Sequence, residues 1–305
     1  MNDLDYICYK QVHGGLGNRL IQYCQVKIFA DSLCKEIIIN ENNPLKDEKY
    51  RNLNDIFVND ILVENKKPNF NMGRSEHALS YRERSLAKLN IKISKEEYKN
   101  RFFKNIRSLR FCQELISLSD EYIANNKINL SETLGVHIRT DDFKRLQFDK
   151  NGVYSDKRTP GGNYHIDIMC NFLWGTKLPF DNIKEKEFYY WKYIDYITDR
   201  IFEIAEQNKV KNIFLSGKDH CINWPIFSVI EFKLKNEYNI IRDRELQFRN
   251  DSSSWHRDLI TLSKCKAIAA TSISTWSMMA GWMGEKDIID IFNLTKKGSM
   301  EIYRI

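Results

Sequence analysis

The residues best equipped for chemistry stand in four short clusters, and the densest is His137-Ile138-Arg139 followed by Thr140-Asp141-Asp142-Phe143. Leu134, Val136 and Ile138 alternate with Gly135, His137 and Arg139. That is the period of a strand, so one face is apolar while His137 and Arg139 share the other. A cation then stands at a strand's carboxyl end, where open α/β sheets bind ligands, and a guanidinium fork there suits the paired oxygens of a phosphate. The structural alternative is an ion pair that holds Arg139 to Asp141 or Asp142.

The second cluster is His13-Gly14-Gly15-Leu16-Gly17-Asn18. It follows the β-prone run Tyr6 to Val12 and precedes a helical pattern in which Ile21, Cys24 and Ile28 share a face widened by Leu20 and Phe29. Strand, glycine turn and helix make a phosphate cradle, with free N–H groups and the positive end of a helix dipole toward the ligand. The spacing is neither Walker A nor G-x-G-x-x-G, so a plain turn is the alternative. The third cluster, Ser216-Gly217-Lys218-Asp219, ends the buried strand 211–215. The fourth, Thr271-Ser272-Ile273-Ser274-Thr275, joins the small-residue strand Ala267–Ala270 to a helix from Trp276 to Met283. Its hydroxyls either cap that helix or bind phosphate.

These clusters must be positioned by alternating strands and helices, which predicts an α/β chain. Glu36–Asn40 reads as the second strand of a βαβ unit, and 42–71 as loops around one or two short elements. Ser94-Lys95-Glu96-Glu97 is a capping box, after which Tyr98, Phe102, Ile106, Leu109 and Ile116 keep helical spacing. Asn125-Asn126-Lys127 breaks the pattern, which places a boundary between domains 1–127 and 128–305. Residues 149–163 read as a mobile loop and candidate lid, 187–206 as a long amphipathic helix, and 258–264 as a further amphipathic segment.

With 305 residues the chain can bury two cores. Its 42% apolar and 29% charged residues are ordinary for a soluble protein, and no apolar run reaches membrane-spanning length. The first residues lack the pattern of a signal peptide, so the expected location is the cytoplasm. Cys8, Cys24, Cys34, Cys112, Cys170, Cys221 and Cys265 are scattered without a C-x-x-C pair, and read as reduced, mostly buried thiols. The net charge is +6, yet 81–111 alone holds ten basic residues against three acidic ones. The remainder is close to neutral, which argues against general nucleic-acid binding and for one local basic surface. That surface is either a solvated face or a peripheral contact with an anionic membrane on its cytoplasmic side.

Taken together, the clusters resemble the alpha-1,2-fucosyltransferases of glycosyltransferase family 11, within the superfamily that includes the alpha-1,6- and protein O-fucosyltransferases. Gly14 to Asn18 with Gln22-Tyr23 is similar to G-G-L-G-N-Q-x-F-Q-Y-A, and Val136 to Phe143 to V-H-I-R-R-G-D-Y. Phe214 to Asp219 with Trp224 resembles F-S-D-D…W. Asp258-Leu259, Cys265-Lys266, Ala270-Thr271-Ser272 and Trp276 resemble D-L-x-L-M-S-x-C-K…A-N-S-x-F-S-W-W. The match spans residues 12 to 283. Thr140 stands where the family has a second Arg, Asp141 where it has Gly, Arg19 where it has Gln, and Thr271 where it has Asn.

The resemblance implies a GT-B fold: two Rossmann-like domains face each other across a cleft, and the C-terminal one binds a nucleotide sugar. It also implies inversion at the transferred sugar, GDP-fucose as donor, no metal and no other cofactor, and a hydroxyl of a glycan or lipid-linked oligosaccharide as acceptor in surface polysaccharide synthesis. Without a metal, charge on the departing diphosphate needs a cation or donors, and Arg139 is the candidate. His137 either assists or orients the loop. Asp142 either takes the acceptor's proton or holds Arg139. Ser272, Ser274 and Thr275 would complete the phosphate cradle, Ser216 and Asp219 would face base or ribose, and Gly15, Gly17 and Asn18 would approach the sugar from the facing domain. Two further readings stand: a different nucleotide-sugar donor, to which Thr140-Asp141 points, and an inactive binding or scaffolding protein.

Overall fold

The computed structural model describes residues 5–10, 16–40, 52–70, 83–138, 146–148, 154–156, 183–217, 226–243, 252–271 and 274–292. The first sheet is parallel and ordered β1 (Tyr6–Lys10), β2 (Glu36–Asn40), β3 (Leu62–Glu64). Helix α1 (Leu16–Ser32) connects β1 to β2. The expected stripe Leu20, Ile21, Cys24, Ile28 and Phe29 is fully buried, but so are Gln25, Val26 and Ala30 on other sides, so the helix is enclosed on more than one face. The short helix α2 (Leu53–Ile56) and β3 are the elements that interrupt the expected loops.

After α3 (Glu83–Lys88) comes α4 (Lys95–Ser108), whose N-cap Ser94 accepts a 3.0 Å hydrogen bond from the Glu97 amide as the capping box requires. The expected continuous helical pattern through Ile116 is two helices. Leu109 is extended, and α5 (Gln113–Asn125) starts anew with Leu115, not Ile116, fully buried. A backbone bridge from Phe57 to Phe111 occupies the break, so strand-like pairing has displaced helical propagation there.

The second sheet is wholly parallel, in the order β10 (Ile288–Asp290), β9 (Ala267–Ala270), β4 (Thr133–His137), β7 (Asn212–Ser216), β8 (Asn239–Ile241). Strands β5 (Leu146–Phe148) and β6 (Tyr154–Asp156) pair antiparallel on their own, so part of the expected loop 149–163 is a strand. Helices α6 (Ile183–Gln207), α7 (Ile226–Leu234), α8 (Ser252–Lys264) and α9 (Thr275–Met283) cover the large sheet.

The expectation of one apolar and one polar face on β4 fails, because its sheet is covered on both sides. Leu134, Val136 and Ile138 pack in one cluster with Ile194, Ile197 and Ile201 of α6. Gly135 faces α8 so closely that a Cβ there would stand 2.6 Å from Leu262 Cδ1. Phe214 and Ile268 point into a second cluster, which continues into the first half of the chain through Phe102, Phe29 and Ile7. Trp282 of α9 is buried in it, edge-on to Phe102 and Phe103.

Polar contacts reinforce this continuity. Helix α5 is fastened to α8 by Lys264 to Asp120 (2.7 Å), by the Ser119 and Thr261 hydroxyls (3.0 Å) and by Arg257 stacked 4.0 Å over the Tyr122 ring. Cys8, Cys24, Cys34, Cys112 and Cys265 are free thiols, and burial pushes Cys265 up to about 12. Among the described residues no helix is long and apolar enough to cross a membrane.

Candidate functional site at the crossover of the large sheet

Strands β4, β7 and β8 are laid down in one direction, after which the chain returns to place β9 and β10 on the other side of β4. The direction of winding therefore reverses between β4 and β9. In sheets of this kind the crevice outside the carboxyl ends at that point is where ligands bind. Register puts specific residues there: His137 ends β4 opposite Ser216 of β7 on one side and Ala270 of β9 on the other. The Thr271 amide donates to the His137 carbonyl at 3.1 Å, which ties the end of β9 to the end of β4.

Each neighbour of the crevice has a local reason for its shape. Gly217 follows Ser216 at φ +135, a left-handed conformation that side chains resist, and a Cβ there would stand 2.5 Å from Phe227 Cζ and 3.1 Å from the Ile138 carbonyl oxygen. Ser216 is buried at the head of this turn. Ser274 is the N-cap of α9, yet its hydroxyl makes no bond to the first-turn amides. Ser277 instead donates to the Ser274 carbonyl at 3.1 Å. Thr275, half-buried, opens the helix.

Gly17 of the first half meets the start of α9. Gly17, in the first turn of α1, lies against Thr275: a Cβ at Gly17 would stand 2.6 Å from the Thr275 carbonyl oxygen and 2.7 Å from its Oγ1. The positive ends of α1 and α9 therefore converge, the arrangement that favours an anion between them. Asn18 is half-buried one residue on. The structure thus sets His137 beside Ser216 in the sheet register and, separately, Gly17 against Thr275 next to the N-cap Ser274. Gly15, Arg139, Asp142, Asp219 and Ser272 lie outside the described residues.

A charged cluster beside the crevice carries no sequence-assigned role. Asp243 follows the carboxyl end of β8, and Arg257 and Asp258 lie in the first half of α8. Arg257 donates to Asp243 Oδ2 at 2.9 Å and to Asp258 Oδ1 at 2.7 Å. Burial raises the Asp258 carboxyl to about 6, although the Arg257 charge pulls the other way, and Asp243 adds to the rise. Burial likewise opposes the Arg257 charge, but Asp258 and Asp243 together outweigh it. The adjacent Arg257-Asp258 pair was visible in the sequence, whereas Asp243 is joined to it only by the fold. Buried His256 stands beside Trp276 of α9, ring centroids 6.3 Å apart. Among the described residues no group of three or more His, Cys, Asp or Glu side chains is placed to hold a metal ion.

No protein-family model and no curated protein sequence matches this chain. Solved structures match along nearly its whole length. POFUT1 in complex with GDP is 11% identical with a TM-score of 0.50, covering 95% of this chain and 99% of that one. Arabidopsis thaliana FUT1 in complex with GDP is 10% identical with a TM-score of 0.49, covering 94% and 70%. NodZ alpha-1,6-fucosyltransferase soaked with GDP-fucose is 10% identical with a TM-score of 0.44, covering 94% and 95%. At 11% identity the likeness to POFUT1 is one of fold, and with its two parallel sheets and the 3-2-1-4-5 winding of the larger one the chain has the α/β fold of GT-B type.

Proposed function

We propose that the protein is an inverting glycosyltransferase that moves fucose from GDP-fucose to a hydroxyl of a glycan acceptor, in the manner of the alpha-1,2-fucosyltransferases. The observation that carries this reading is the convergence of the α1 and α9 N-termini through Gly17 and Thr275. A diphosphate is the group such a crevice suits. The POFUT1 structure of like fold was solved with GDP.

In the proposed reaction the bond between the sugar's anomeric carbon and the diphosphate oxygen breaks as a bond to the acceptor oxygen forms. Asp142 takes the acceptor's hydroxyl proton, and GDP departs with the bonding electron pair. Arg139, one residue beyond Ile138 at the end of β4, neutralises charge on the departing oxygen, helped by the Ser272, Ser274 and Thr275 hydroxyls. Ser216 and Asp219 hold ribose or base, and Gly15 and Asn18 border the sugar. No resident cofactor and no metal takes part in this scheme. Its product would serve surface polysaccharide synthesis on the cytoplasmic side.

Thr140 and Asp141 favour a second reading, transfer from a different nucleotide sugar, because they subtract a cation and add a carboxylate beside the diphosphate. Thermal unfolding with GDP, UDP and no nucleotide separates the readings, since a ligand at a hundred times its Kd stabilises the native state by about 2.7 kcal/mol. Stabilisation by GDP is expected. Stabilisation by UDP alone would transfer the case to the second reading, and no effect from either would leave a scaffolding protein. A donor and acceptor screen on the GDP-responsive protein then tests fucosyl transfer.

A further inference from the structure

Helix α4 is amphipathic, and its two sides do different things. Tyr98, Phe102 and Ile106 are buried, and the helix runs antiparallel beside α1, with Arg101 donating to Ser32 at 2.9 Å and Asn105 to the Cys24 carbonyl at 3.3 Å. The opposite side is cationic. Lys95, Lys99 and Lys104 of the helix are exposed, as are Lys88 and Lys92 before it and Arg110 after it, and among the described residues none of these has a carboxylate within ion-pair distance. On α4 the pairs are Arg101 with Glu97, and Arg107 with the exposed Glu285 at 3.8 Å.

A trough of about 630 Å3 runs along this side between Lys99, Asn100, Phe103, Lys104, Arg107 and Ser108, with Glu96 its one acid. Its floor is Phe103, 6% exposed, with the Lys99 ammonium 6.0 Å and the Arg107 guanidinium 5.7 Å from the ring centroid. An acidic saccharide would want an open ring to stack on, and this ring is covered by the cations themselves. The charges also extend over the full 14 residues of the helix, roughly 20 Å, more than one sugar spans.

We infer that this face of α4, with the turn before it, docks the protein onto a membrane surface of anionic phospholipid. An array of headgroups matches both the length and the sign of the surface. The inference does not rest on the proposed reaction, because it concerns a different surface.

The test is co-sedimentation of the whole chain with vesicles of phosphatidylcholine alone, or with about a third of the lipid replaced by phosphatidylglycerol, at low and high salt. The wild type is expected to sediment with the anionic vesicles at low salt and to be released by high salt. A variant with Lys95→Gln, Lys99→Gln, Lys104→Gln and Arg110→Gln should partition several hundredfold more weakly, at about fivefold per cation. Circular dichroism and the nucleotide-dependent melting shift, which should match those of the wild type, verify its fold independently. Equal sedimentation of both proteins, or none by the wild type at low salt, overturns the inference. So does binding of a soluble acidic oligosaccharide that the variant loses, if vesicles are not bound.

Discussion

Gly17 of α1 and Thr275 of α9 touch backbone to backbone, so a single methyl group at position 17 would intrude to 2.6 Å from a carbonyl oxygen that cannot rotate away. Glycine at this position serves contact between the two halves of the chain before any ligand arrives. Gly17→Ala is therefore expected to lower the melting temperature without nucleotide, by the equivalent of about 1–3 kcal/mol, as overpacking does. It should also diminish the stabilisation given by GDP, because the converging helix ends are pushed apart. Melting curves identical to the wild type in both conditions would refute the contact.

Arg139→Ala tests the charge-stabilising role directly. Loss of one preorganised stabiliser of developing charge lowers turnover by roughly 10²–10³-fold with the fold intact. Initial rates and circular dichroism, measured on the same preparation, distinguish this from the alternative in which Arg139 holds the loop by pairing with Asp141 or Asp142. An active variant sinks the role in leaving-group stabilisation, and an unfolded one supports the ion pair.

Gly217→Ala addresses the turn that presents Ser216. With φ at +135 and Phe227 Cζ at 2.5 Å from a Cβ, the added methyl group is unfavourable both to the backbone and to packing. A destabilisation of about 1–3 kcal/mol is expected, together with weaker nucleotide binding by calorimetry. If Gly217→Ala melts like the wild type, the turn is not the constraint described.

Asp258 makes stability depend on pH in an unusual direction for a carboxylate. Its folded value, about 6, lies above the ordinary 3.8, so the folded protein binds this proton more tightly than the unfolded chain does. The contribution is therefore fully present below the unfolded value and is lost as pH rises through about 6, amounting to about 3 kcal/mol across that window. Unfolding free energies from about pH 4 to pH 8 should fall for the wild type relative to Asp258→Asn, which has no such proton. Parallel curves for the two proteins would show that the Arg257 pair, not burial, governs this carboxyl.

Much of the fold was legible because local signals and global packing agree in most elements. The α1 stripe, the Ser94 capping box, the end of α5 at Asn125 and the isoleucine stripe of α6 all follow from period and capping alone. Two readings failed for reasons that are not local. Periodicity cannot show that both faces of β4 are covered, because Gly135 reads as a gap until α8 fills it. Nor could spacing reveal the break after Ser108, which depends on Phe111 meeting Phe57 from far away in the chain. In the site, register alone brought His137 beside Ser216, and a tertiary contact brought Gly17 to Thr275. The sequence order of the clusters was informative, but the link from Asp243 to Arg257 had no sequence signal.

The position of β4 has a consequence for how the protein is made. As the ribosome delivers the chain, β4 and β7 emerge with one flank of β4 unpaired, and that flank stays open until β9 has been made. The aromatic packing around Phe102 and Phe103 is likewise unfinished until Trp282 appears. Neither sheet can mature independently as a nascent unit, and an exposed parallel edge of this kind invites association between chains. Translation that stops before Ala267 would leave an aggregation-prone fragment, and the two halves expressed separately would each lack part of the other's interior.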